Sequence, residues 1–134
     1  GPFYVQIIVG PTATPGVTVY KATSFTVRQT YEADLDNGSE TGTGSDFWYH
    51  AVSAAEKYIE PKNGATMVKM GSVPEYNDCK NAALSGSAIN LNTFPAGSWM
   101  CYKTNDGRYG RFQLDKFGDP GGTTMYIDMR TWNK

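Results

Sequence analysis

The sequence is poor in the residues that carry most enzyme and metal chemistry. It has one histidine and two cysteines, and charged residues make up only 19% of its 134 positions. A lone histidine, His50, leaves no imidazole pair for zinc, and two cysteines without histidines at ligand spacing make no zinc site. His50 lies in an aromatic strand-like run, which favours a packed or hydrogen-bonded ring over a base. No Gly-x-Ser-x-Gly turn occurs, and no Ser-His-Asp order stands out. The acidic residues are scattered, so nothing marks a glycosidase carboxylate pair. No catalytic residue, cofactor or metal is expected, and a hydrolase is a distant third reading. Formal net charge is -1. That balance excludes the basic footprint of a nucleic-acid binder. It also leaves little self-repulsion to oppose self-association. No apolar run approaches the roughly 18 residues of a membrane helix. No signal peptide and no initiator methionine precede Gly1, which reads as a processed chain or a cleavage scar at Gly1-Pro2.

What is present points to β-structure. Fifteen glycines and low charge argue against a helical bundle. Nine tyrosines and an aromatic content of 13% suit pleated, half-buried surfaces. The length fits one domain with its own core. Alternation predicts strands over 17–20, 24–31 and 47–52, with 36–46 as a loop. Residues 54–59 read as a strand with a turn or bulge. Asn63-Gly64 predicts a hairpin whose return strand is 65–70. Asn105-Asp106-Gly107 predicts another between 98–104 and 108–114. Residues 89–91 form a short strand candidate, and 123–132 close the chain as a strand. Residues 73–84 make the best helix, short and placed over one open end of the core. Eight to ten strands with one small helix predict an all-β, antiparallel β-sandwich, immunoglobulin-like or related.

The N-terminal sixteen residues are the most informative. Phe3, Val5, Ile7 and Val9 alternate with Tyr4, Gln6 and Ile8, the period of a strand with at least one buried face. Pro11, Thr12, Thr14 and Pro15 then form a stiff spacer, since proline cannot donate to a ladder and favours polyproline II. Gly10 to Gly16 would span roughly 20 Å at about 3.1 Å per residue. The domains are therefore read as a strand at 1–10, a linker at 11–16 and a sandwich at 17–134. The strand either pairs within its own domain as an edge strand or inserts into a neighbouring subunit by β-augmentation, filling a groove there. In the second case four apolar side chains would contribute very roughly 6–10 kcal/mol before association costs. Donor and acceptor on one chain make a head-to-tail contact, and a rotation that does not close gives a helical filament.

Cys79 and Cys101 are either a disulfide or two buried thiols. The charge-poor, Thr-, Gly- and Tyr-rich composition looks extracellular and favours the disulfide, worth roughly 3 kcal/mol on the chain-entropy model. Asn37-Gly38-Ser39 is an N-glycosylation sequon, and Thr12 and Thr14 are candidate O-glycan sites between prolines. The acidic segment Asp34, Asp36, Glu40 and Asp46 has oxygen ligands for Ca²⁺ but not the EF-hand spacing, so a solvated Asx/Gly turn is expected. Trp48, Tyr49, Trp99, Tyr109 and Trp132 are either a sugar-stacking platform or, more commonly, core and cross-strand pairs.

Pro11-Thr-Ala-Thr-Pro15 resembles linkers of surface and secreted proteins in filamentous bacteria such as the Chloroflexi. The runs Asp34-Leu-Asp36-Asn-Gly38, Gly44-Ser-Asp46-Phe-Trp48, Glu60-Pro-Lys-Asn-Gly-Ala65 and Lys103-Thr-Asn-Asp-Gly-Arg-Tyr109 look like a secreted β-domain of such organisms over roughly 31–114. That resemblance implies no activity. A donor strand joined to a β-domain also resembles subunits of donor-strand-assembled pili and fibres, in architecture rather than motif. The sequence marks of chaperone–usher pilins are absent. The resulting expectation is a non-enzymatic, extracellular or cell-surface filament subunit. Its partner is the chain itself, with covalent or bound glycans, no nucleic acid and no membrane span. The alternative is a secreted carbohydrate-binding sandwich module.

Overall fold

The computed structural model describes residues 16–134. The strand expected at 1–10, and all of the linker but Gly16, lie outside the described residues. The rest is an antiparallel β-sandwich of ten strands with one short helix. The first sheet contains β1 (Val19–Val27), β10 (Thr124–Trp132), β9 (Tyr109–Gly118), β8 (Trp99–Lys103) and β6 (Thr66–Met70), in that spatial order. The second contains β3 (Ser39–Thr41), β2 (Glu32–Asp34), β4 (Phe47–Ala51), β5 (Lys57–Pro61) and β7 (Ile89–Asn90). A single 3₁₀ turn, Leu91–Thr93, follows β7.

Alternation places one side chain in two between the sheets. Met100 and Tyr102 on β8, Phe112 and Leu114 on β9, and Met125, Ile127 and Met129 on β10 face Ala33, Phe47, Tyr49 and Ile59 of the second sheet. Each large apolar side chain so buried contributes about 1.5–3 kcal/mol. A polar thread crosses this core. Thr131 Oγ1 donates to Leu35 O at 2.6 Å, and the Tyr102 hydroxyl donates to Thr131 Oγ1 at 2.6 Å. Burial pushes the Tyr102 phenol well above its usual range, so it stays a donor. Gly110 makes room for that ring, since a Cβ there would sit 2.4 Å from Tyr102 Cε1.

Three local expectations change. The 36–46 segment is not wholly loop, because Ser39–Thr41 pairs with Glu32–Asp34 as β3. The acidic and glycine-rich composition hides a strand of only three residues. Asn63-Gly64 does form a tight turn, with φ of 56° and 86° and Ala65 N donating to Lys62 O. However, β5 stays in the second sheet and β6 crosses to pair with β8 in the first. The turn chemistry is local, whereas strand pairing follows which sheet buries the apolar face. The helix α1 is only Tyr76–Lys80. It covers the outer face of the first sheet rather than an open end, over Cys101, Val68, Met70 and Trp132. Residues after it leave the helix because Ser85 exchanges two backbone hydrogen bonds with Met67 on β6. Cys79 on α1 is disulfide-bonded to Cys101 on β8. Arg111 Nη1 clamps the helix entrance by donating to Pro74 O at 2.8 Å and pairing with Glu75.

Candidate functional site

Sheet edges are where a β-sandwich meets other chains, because their outward N–H and C=O groups lack partners. The four edges here are unequal. β7 and β3 have two and three residues. The outer side of β6 is bridged by Ser85. β1 has nine residues and pairs only with β10 among the described residues. Every second residue along it therefore turns its backbone groups away from the sheet. From Ala22 to Val27 β1 carries no charge and no proline, the usual devices that blunt an edge.

The side chains along this edge are small on one face and apolar on the other. Phe25 and Val27 point to the core. Ala22, Ser24 and Thr26 point outward and are exposed. Two shallow depressions border them on the outer face. One, of about 290 Å³, lies between Ala22, Ser24, Asp128 and Trp99. The other, of about 250 Å³, lies between Ser24, Thr26, Asp115 and Tyr126. At the start of β1, Val19 and Tyr20 are 46% and 43% exposed. A register shift between Val19 and Lys21 bends the strand there. On the other flank the β2–β3 turn abuts β1 closely: a Cβ on Gly38 would lie 2.3 Å from Thr23 Cγ2.

A second cluster lies at one end of the sandwich. Asp34, Asp36 and Asp46 each bring a carboxylate oxygen within 4.8 Å of the others. The Asx turn is present, since Asp34 Oδ1 accepts from Asp36 N and Asn37 N. It is only partly solvated: Asn37 is exposed and Asp34 half-buried, whereas Asp36 is 4% exposed and the neighbouring Asp46 is fully buried. Asp46 Oδ2 accepts from Leu35 N at 2.6 Å, and Oδ1 from Asn105 N at 2.7 Å. Arg108 pairs with Asp36 at 3.1 Å and carries Tyr20 on its guanidinium face at 3.7 Å. Burial, reinforced by Asp36 and Asp34 and partly offset by the two backbone donors, pushes the Asp46 carboxyl up to about 7. Burial also raises Asp36, while Thr104 and Arg108 pull it back. Only the Arg108 contact has hydrogen-bond geometry, so Asp36 Oδ2 has no partner.

The aromatic residues do not converge. Trp99, Tyr109 and Trp132 share the outer face of the first sheet, but Trp132 is 5% exposed beneath α1. Tyr76 meets Tyr109 and Trp132 edge-on. Tyr49 is core. Trp48 lies on the other sheet, with its indole N–H donating to Thr30 O and its ring stacked on His50 at 4.0 Å. His50 Nδ1 is 3.2 Å from Glu60 Oε1. Asn37 is exposed, and its Nδ2 donates to Asp34 Oδ2. Candidate residues 3–9, Pro11, Thr12, Thr14 and Pro15 lie outside the described residues. The sequence pattern gives no functional role to the β1 edge, Tyr20, Asn105 or Arg108. Asn105 is 59 positions from Asp46, and no local pattern signals that contact. The long uncharged run 22–27 was the one available signal for the edge. No helix among the described residues is long and apolar enough to cross a membrane. No protein-family model, curated protein or solved structure matches this chain.

Proposed function

We propose that the protein is a structural subunit of an extracellular filament, joined head-to-tail by its N-terminal strand. The observation that carries this is the open β1 edge: nine residues, uncharged from Ala22 to Val27, with only small outward side chains. A seven-residue strand from Phe3 to Val9 would span roughly 23 Å against roughly 30 Å for β1, short enough to lie along it. Backbone hydrogen bonds along β1 would supply affinity, and alternate donor side chains would enter the two depressions beside Ala22, Ser24 and Thr26. Added at this edge, the strand would extend the first sheet of its neighbour. A carbohydrate-binding module draws less support, because the aromatics are divided between the sheets and the core.

The test is negative-stain microscopy of the intact chain beside two variants. Deletion of residues 1–16 should leave folded monomers without filaments. Thr26→Lys, which sets a charge on the outer edge of β1, should weaken assembly while leaving the fold intact. Monomers of the intact chain at high concentration would refute the proposal. Filaments that survive the deletion would move the interface away from the N-terminal strand.

A further inference from the structure

The end of the sandwich opposite the acidic corner carries a cleft with a buried phenol in its wall. The β4–β5 turn, the β9–β10 turn and the 3₁₀ turn after β7 surround it. One part, of about 170 Å³, is lined by Tyr49, Lys57, Leu91, Phe117, Ala54 and Gly122. A second part, of about 310 Å³, shares Ala54 and Lys57 and continues to Thr30, Ser53 and Thr123. Tyr49 is 1% exposed, and burial alone raises its phenol, so the hydroxyl keeps its proton. Among the described residues the sealed side-chain oxygens without a partner are Asp36 Oδ2 and Asn105 Oδ1. The Tyr49 hydroxyl, which no side chain or backbone group among them pairs with, is therefore reached through the cavity that the residue lines. A hydroxyl so buried calls for an acceptor from outside the chain.

Water alone would satisfy the phenol, but not its neighbour. Lys57 pairs with Ala51 as Ile59 pairs with Tyr49, so alternation sets Lys57 on the core side of β5. A lysine is seldom half-buried at such a position without a negative partner. No carboxylate lines either part of the cleft, and among the described residues Lys57 makes no ion pair. The adjoining Glu56 is taken by the Tyr58 hydroxyl.

We propose that this cleft binds a small carboxylate built on an apolar six-membered ring, held by the Lys57 ammonium and the Tyr49 hydroxyl. The size fits, since a cavity of about 150 Å³ holds benzene. Leu91, Phe117 and Ala54 supply an apolar wall for the ring, and the two donors fix its orientation. A carboxylate has two oxygens, one for each donor. A bare inorganic anion would leave the apolar wall in water, and a neutral ring would leave the ammonium unpaired. The rim at Gly122 is open, with nothing within 4 Å of where a Cβ would stand. The site needs no second copy of the chain, so it stands or falls apart from filament assembly.

The full chain is titrated with benzoate near pH 7, beside benzyl alcohol as a neutral ring and acetate as a carboxylate without one. Saturation-transfer NMR reads the small molecule, so polymerisation of the protein does not obscure it. Benzoate should receive saturable transfer in the low millimolar range expected of so small a ligand. Benzyl alcohol and acetate should bind roughly tenfold more weakly or worse, the first for lack of the charged hydrogen bond to Lys57. Lys57→Met keeps the stem and should bring benzoate down to the level of benzyl alcohol. Tyr49→Phe should weaken benzoate several-fold, and Ala54→Trp, which fills the wall shared by both parts, should abolish transfer. Absence of saturable transfer to benzoate on the intact chain overturns the proposal. Benzyl alcohol binding as well as benzoate, or Lys57→Met binding benzoate like wild type, overturns it equally.

Discussion

Asp46 offers the sharpest test of the end of the sandwich where the acidic residues meet. Its carboxyl is fully buried, rises to about 7, and would stand near 3.8 in the unfolded chain. A folded-state pKa above the unfolded one means the native protein holds a proton that the unfolded chain releases. Stability from this group is therefore present below pH ~4 and lost as pH rises towards 7. Above 7 both states are ionised and the contribution levels off. At 1.36 kcal/mol per unit the full swing is roughly 4 kcal/mol, of which about 2.5–3 kcal/mol falls between pH 5 and 8. The groups facing Asp46 are Asp34 and Asp36, with Arg108 behind Asp36. Urea unfolding followed by tryptophan fluorescence should show wild type losing that amount. Asp46→Asn cannot ionise and should lose much less, leaving a smaller slope in the same direction from Asp36. The variant gives up one acceptor to Leu35 N or Asn105 N, which costs about 1–3 kcal/mol at every pH and leaves the slope readable. A wild-type stability level from pH 5 to 8, or an Asp46→Asn curve just as steep, refutes the reasoning.

Reducing the Cys79–Cys101 disulfide, or replacing both cysteines by alanine, should cost roughly 3 kcal/mol and lower the melting temperature. The loss should fall first on α1, read by hydrogen exchange at Tyr76–Lys80, since the bond is what pins this single helical turn to β8. Gly110→Ala should destabilise by about 1–3 kcal/mol or more, because its Cβ drives the Tyr102 ring off the Thr131 hydroxyl. An unchanged denaturation midpoint for that variant would show that the ring has somewhere else to go.

Sequence and structure agree where the signal is local and redundant. The Asn105-Asp106-Gly107 turn lies between two alternating aromatic strands, and β8 and β9 pair across it. The run 123–132 alternates cleanly, and β10 becomes the long strand that joins β1 to β9. Agreement stops where the outcome depends on a distant partner. Asn63-Gly64 has the dihedrals its residues predict, yet whether a turn joins neighbours or crosses between sheets depends on where β6 buries Met67. The helical pattern of 73–84 is real for one turn only, because the backbone of Ser85 is claimed by β6. Asp34 and Asp36 read as a solvated turn because two of their neighbours, Asp46 and Asn105, are brought in by other strands.

The sequence by itself determined the β class and the positions of most strands among the described residues. Period-2 alternation and turn residues act within a few positions, so they are written in order along the chain. Tertiary structure alone decided which edge stays open, which aromatics are buried, and that three aspartates share one corner. Those properties belong to pairs of residues far apart in sequence, and they exist only once the two sheets have closed on their core.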